Sequence, residues 1–184
     1  MGVPVGIAAI IDRLTEMVGT RATTARGVLD EHGRSEAYHA NQPPDVVVFP
    51  EATQEVAQIV ALCATAGMPI VPFGSGTSLE GNTAAVAGGL CFDFSRMNSI
   101  LKLNDKDMDV VLQPGITRKL LNAQLRDTGL SFPIDPGADA SIGGMAATRT
   151  SVIPAQVLRE FCPLSGEIGK SQTTTLGSFG VKTP

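Results

Sequence analysis

The chain has 184 residues and a formal net charge of -4, with 43% hydrophobic and 17% charged residues. That composition suits one globular domain and argues against a disordered chain. An acidic balance without basic clusters leaves no electrostatic footprint for nucleic acid or an anionic membrane, and 4% aromatics with no Trp argue against base-stacking platforms.

In chain order, Ile7, Ile10, Ile11, Leu14, Met17 and Val18 have helical spacing and predict a short amphipathic helix within an N-terminal helical region, residues 1–41. The apolar start has no basic flank and runs into Asp12. It reads as neither a signal peptide nor a membrane span. Pro43 and Pro44 predict a turn into a buried strand, Val46–Phe49, which Pro50 ends. Thr53 is the expected cap of a helix to Ala66, with Glu55 in its first turn. Val56, Ile59, Val60 and Cys63 form its apolar stripe. Gly67 and Pro69 stop it, and Pro69–Phe73 reads as the next strand. Strand, helix and strand make a βαβ unit, so the two strands are expected to be parallel.

Leu90–Phe94, Ile100–Leu103 and Asp109–Gln113 are three further strand-like runs. Ile116–Thr128 reads as a second clear helix, with Thr117 as N-cap, Ile116 and Leu121 as a hydrophobic staple, and Gly129 closing it. The Arg118/Lys119 pair reads as its solvated face. From Val152 onward one short apolar cluster is followed by polar, small residues, and beyond Leu164 only Ile168, Leu176, Phe179 and Val181 are large and apolar, too few to offset the ordering of the backbone.

Cys63, Cys91 and Cys162 are odd in number and no C-x-x-C occurs, which argues against a zinc site or a disulfide framework and for a reducing compartment. His32 and His39 lie on a polar stretch before the first strand and read as solvated side chains. Asp135 and Asp139 share a loop without a histidine, too few oxygens for a hard cation, so no metal site is expected. No Ser/His/Asp or Cys/His set is discernible, which leaves nucleophilic hydrolysis unsupported.

Six glycines fall between Gly67 and Gly89 and four between Gly129 and Gly144, so they mark particular loops. The first loop, Pro72–Gly81, directly follows a strand. Gly74 and Gly76 permit positive φ and convergence of backbone N–H groups on an anion, and Ser75, Thr77 and Ser78 add hydroxyls. Its spacing is neither the dinucleotide fingerprint nor a Walker loop, so the motif alone leaves a plain glycine turn open. The second loop, Pro133–Met145, carries Ser141 and the Gly143–Gly144 pair, which would let a bulky ligand approach the main chain. An unliganded surface loop is the alternative, although a loop this long without secondary structure is more often functional than idle.

Pro44–Glu51, Pro72–Gly81, Gly88–Asn98, Val111–Thr117 and Phe132–Arg149, in this order, resemble the FAD-binding domain of the vanillyl-alcohol-oxidase (PCMH) type. Within it they resemble the group of D-lactate dehydrogenase (cytochrome) and the glycolate oxidase FAD subunit. The similarity runs from Arg34 to Ser151, roughly two thirds of the chain. It implies an α+β fold, truncated here, with 42–151 as the first part of the flavin domain and 152–184 as a divergent tail. It implies FAD as cofactor, with Gly74, Ser75, Gly76, Thr77 and Ser78 donating to the pyrophosphate and Gly81 keeping the loop tight. The family's second loop wraps the flavin and adenosine parts, which maps onto Pro136, Gly137, Ser141, Gly143, Gly144 and Thr148.

The implied reaction is oxidation of a D-2-hydroxy acid of the D-lactate or glycolate class to a 2-oxo acid, with electrons leaving through flavin to a cytochrome or quinone-type acceptor. The implied location is mitochondrial in a eukaryote, and cytoplasmic or peripheral at the inner membrane in a bacterium. After Ala147–Ser151 the family's continuation is replaced by Val152–Val157, and its substrate cap and histidine-bearing catalytic region have no counterpart. No catalytic residue is therefore nominated, and the expectation for the isolated chain is no turnover and weak or no FAD retention. The alternative is a catalytically dead flavin-binding or partner-binding remnant. A reductase of the cell-wall precursor type shares the flavin fold, but Asp135–Gly144 looks more like the dehydrogenase group.

Overall fold

The computed structural model describes residues 6–34, 38, 40–134 and 136–149. The expected tail from Val152 lies outside the described residues, as do His39 and Asp135. The chain forms two compact units that divide after Arg96.

The first unit opens with helix α1, Ile7–Val18, as the spacing predicts. Its buried stripe of Ile10, Leu14 and Val18 repeats every four residues, and it joins the same core as the sheet. A short strand β1 (Ala22–Thr23) and helix α2 (Arg26–Gly33) follow, neither of which the apolar pattern signals. The remaining elements are strand β2 (Val46–Val48), helix α3 (Thr53–Ala66), strand β3 (Ile70–Phe73) and strand β4 (Leu90–Asp93). The sheet order is β1-β2-β4-β3. β2 and β3 each pair parallel to β4, so the two strands of the βαβ unit are parallel as expected, with β4 lying between them. β1 closes the edge antiparallel to β2.

Helix α3 turns Ile59 and Cys63, both fully buried, toward this core, and Val56 and Val60 pack at its margin. Burying each large aliphatic of the stripe stabilises by about 1.5–3 kcal/mol. Its N-terminus differs from expectation. Ala52 is the N-cap residue and offers no side-chain bond, while Thr53 is already helical. The carboxylate of Glu55 takes over, accepting from the Glu51 amide at 2.9 Å. The same carboxylate receives the Arg21 guanidinium through two bonds of 2.6 and 2.5 Å. Arg21 comes from the turn after α1, so this fork ties the start of α3 to the N-terminal region. It holds the Glu55 carboxyl at about 2, far below the ordinary value.

The second unit holds the antiparallel pair β5 (Ile100–Asn104) and β6 (Asp109–Leu112), then helices α4 (Arg118–Leu125) and α5 (Ile142–Ala147). Thr117 caps α4 as expected, its hydroxyl accepting from the Leu120 amide. The staple residues Ile116 and Leu121 are both fully buried. The α-helical part ends at Leu125, and a 3-10 turn carries the chain to Gly129. The core is Val110, Leu112, Ile116, Leu121, Leu125, Phe132, Ile142 and Met145. The last two lie on α5, so the segment expected to be loop throughout folds into a short helix because its apolar residues are needed here.

Candidate functional site

The first glycine loop leaves the C-terminal end of β3 in the first unit. This is where a parallel sheet presents ligands, because the strand ends and the loop amides face outward together. Among the described residues, no protein group accepts from the amides of Gly74, Ser75, Gly76, Thr77 or Ser78. Ser75 and Thr77 are exposed, while Gly74, Gly76, Ser78 and Gly81 are half-buried. Ser78 is partly committed inward: its hydroxyl accepts from Asn82 Nδ2 at 3.1 Å and from the Glu80 amide at 3.4 Å.

Gly76 is a position that a side chain would strain. Its φ is +66°, and a Cβ there would meet the ring tip of Phe73 at 2.7 Å. Gly81 also has positive φ, at 74°. Amides without an acceptor among the described residues, in a loop with positive φ at Gly76, are the kind of donors an anion site requires.

Behind this loop lies a pair that the sequence reading misplaced. His32 is buried at 4% exposure, not solvated. Its Nδ1 lies 2.8 Å from the Val28 carbonyl and its Nε2 lies 2.8 Å from Asp93 Oδ2. A carbonyl and a carboxylate only accept, so this geometry favours a proton on each ring nitrogen of His32. Burial pushes its pKa down, but the bond to Asp93, with help from Val28, more than compensates and leaves it raised. Burial likewise pushes Asp93 up, and the bonds from His32 and Ser95 outweigh it, so its pKa is lowered. The Ser95 amide donates to the other Asp93 oxygen at 2.7 Å.

The imidazole also packs on two rings, with centroids 4.5 Å from Phe73 and 5.9 Å from Phe49. Nothing in the local sequence reveals this, because the carboxylate that pays for burying His32 lies 61 residues away.

The second group of expected residues lies in the second unit. Pro136 is half-buried, Gly137 is exposed with φ of 83°, and Thr148 is exposed with its hydroxyl donating to the Gly144 carbonyl. Ser141 is 3% exposed and serves as the N-cap of α5, accepting from the Gly144 amide at 3.2 Å. The Ile142 amide donates to the Ile116 carbonyl at 2.8 Å and the Gly143 amide to the Pro114 carbonyl at 2.9 Å. The first three amides of α5 are thus consumed within the protein. A Cβ at Gly143 would stand 2.7 Å from the Pro114 carbonyl oxygen, so its missing side chain serves this close packing. These residues can offer surface and carbonyls to a ligand, whereas the first loop offers free donors.

Among the described residues no group of His, Cys, Asp and Glu could hold a metal ion. No described helix is long and apolar enough to cross a membrane.

The chain matches the family described as FAD binding domain over residues 44–156. It is 52% identical over 124 residues to the "Probable D-lactate dehydrogenase, mitochondrial" of Danio rerio, covering 67% of this chain and 25% of that protein. It is 44% identical over 144 residues to the "D-lactate dehydrogenase [cytochrome], mitochondrial" of Arabidopsis thaliana, covering 77% of this chain and 25% of that one. The glycolate oxidase subunit GlcD of Bacillus subtilis is 37% identical over 103 residues, 55% of this chain and 22% of the subunit. The chain therefore spans about a quarter of the length of the curated relatives it matches.

Among solved structures, alkyldihydroxyacetonephosphate synthase superposes with a TM-score of 0.73 at 23% identity, covering 82% of this chain and 33% of that one. p-Cresol methylhydroxylase superposes at 0.69 and 18% identity, covering 76% and 28%. These likenesses establish the fold as the α+β vanillyl-alcohol-oxidase (PCMH) type.

Proposed function

The chain belongs to the FAD binding domain family, and from that premise we propose that it supplies the pyrophosphate-binding part of a flavoenzyme of the D-lactate dehydrogenase (cytochrome) type. The observation that carries this reading is the run of unpaired amides from Gly74 to Ser78 around a glycine with φ of +66°. These amides donate to the phosphates, and the hydroxyls of Ser75 and Thr77 complete the cradle. Gly81, with φ of 74°, keeps the loop tight. FAD, when bound, supplies the acceptor for two electrons from a D-2-hydroxy acid. D-lactate is the substrate favoured by kinship, a cytochrome is the favoured acceptor, and a mitochondrion is the favoured location.

Two measurements test this. Titration of the chain with FAD, ADP and riboflavin separates pyrophosphate recognition from ring recognition. FAD and ADP should bind weakly, at millimolar concentration, and riboflavin should not. Equal binding of riboflavin, or a folded chain that takes neither FAD nor ADP, overturns the cradle. Replacing the matching segment of the Danio rerio relative by residues 44–149 of this chain tests the enzyme type. D-lactate-dependent dye reduction should survive, and its loss in a chimera that retains FAD overturns the assignment.

A further inference from the structure

We infer that His32 is a positioning residue for the phosphate-binding loop, acting through Phe73 on the backbone of Gly76. The functional consequence rests on the FAD reading above, while the mechanical claim stands on this chain alone. Three contacts in series carry it. Asp93, at the end of β4, holds His32 Nε2 at 2.8 Å, and the Val28 carbonyl holds Nδ1 at 2.8 Å, so the imidazole ring cannot turn about either axis. That ring lies 4.5 Å from the ring of Phe73, centroid to centroid and tilted 45°. Phe73 in turn has three ring atoms, at 2.7, 3.2 and 3.5 Å, around the place where a Cβ of Gly76 would stand. The loop at Gly76 therefore lies against the tip of a ring that itself packs on the doubly hydrogen-bonded imidazole of His32.

The physical need is clear from what the loop lacks. Its amides from Gly74 to Ser78 have no partners among the described residues, so no hydrogen-bond ladder defines their direction. A glycine at φ of +66° has wide conformational freedom. An anion nest is effective only if its donors already converge before the ligand arrives. The packing of Phe73 supplies that order, and His32 keeps Phe73 from swinging away.

The test uses the whole chain with His32→Ala, Phe73→Leu and the double variant. The first readout is ligand-free: the Gly76 resonances in a 15N–1H and Hα spectrum, which the Phe73 ring current displaces. His32→Ala should move the Gly76 signals in the same sense as Phe73→Leu, with signals of α1 and the second unit unchanged. The second readout is ADP affinity, expected to fall about tenfold in each single variant and no further in the double, because the two act in one series. Gly76 signals that are unchanged in His32→Ala overturn the inference. So do additive losses, which would show two independent effects.

If His32→Ala does not fold, His32→Gln retains an N–H that can reach Asp93 while removing the ring and its charge. It should still release the Gly76 signals, and wild-type positions for them overturn the inference. A wild-type chain that fails to bind ADP or FAD would defeat the cofactor reading, and the spectra of the ligand-free chain would still decide the role of His32.

Discussion

His32 Nε2 stands 2.8 Å from Asp93 Oδ2 across 61 residues of chain, and both side chains are buried. The raised His32 pKa and the lowered Asp93 pKa both favour the charged pair, and the first unit's stability depends on pH through it. The His32 pKa is raised above its ordinary 6.5, the loss from burial being exceeded by the bond to Asp93, with smaller help from Val28 and Glu31. Its contribution is fully present below pH 6.5 and is lost as pH rises through the raised value. The Asp93 pKa is lowered from 3.8, so its contribution is present above that pH and is lost on acidification through the lowered value. Urea unfolding should show the wild type losing stability from pH 6 to pH 8.5, and His32→Gln losing less. Parallel curves for the two proteins would contradict an ionic pair.

Gly76→Val should remove FAD binding while leaving helix content intact. The backbone strain of a β-branched residue at φ of +66° costs about 1–3 kcal/mol. The added side chain would also meet the tip of the Phe73 ring, which would have to shift. Circular dichroism and an FAD titration check the two halves, and unchanged FAD affinity would sink the cradle assignment.

Glu55→Gln should destabilise the chain by about 1–2 kcal/mol, less than a fully buried pair because Arg21 and Glu55 keep 17% and 26% side-chain exposure. Glu55 is lowered to about 2, so its contribution is complete above the ordinary carboxylate range and disappears as pH falls toward 2. Urea midpoints of wild type and variant should therefore converge on acidification.

Ser141→Ala should cost about 1 kcal/mol in the ligand-free chain, because the hydroxyl caps α5 through the Gly144 amide. A role confined to flavin contact predicts no change without ligand. Thermal melts without FAD distinguish the two.

Cys63 and Cys91 should resist thiol reagents in the native chain. Both are buried, and burial pushes the Cys91 thiol up to about 12, with Asp93 adding to the effect. Peptide mapping after maleimide treatment at pH 8 should find neither labelled until urea is added.

Residues whose structure depends on near neighbours were legible in the sequence. The stripe of α1, the apolar face of α3, the Thr117 cap and the glycine loop after β3 all follow from spacings of at most a few residues. Hydrophobic periodicity and capping chemistry are local, so the order of letters determines them. The family resemblance was legible too, because it resides in those same loops.

Tertiary structure decided the rest. Thr53 is already helical, and Glu55 near the start of α3 is held by Arg21, over thirty residues earlier. Gly143 is spent on Pro114, and Ser141 on a helix that only the second core's need for Ile142 and Met145 calls into being. His32 reads as a solvated side chain until β4 brings Asp93 to it. The cost of burying a charge depends on which partner arrives, and a partner 61 residues distant leaves no trace in local spacing.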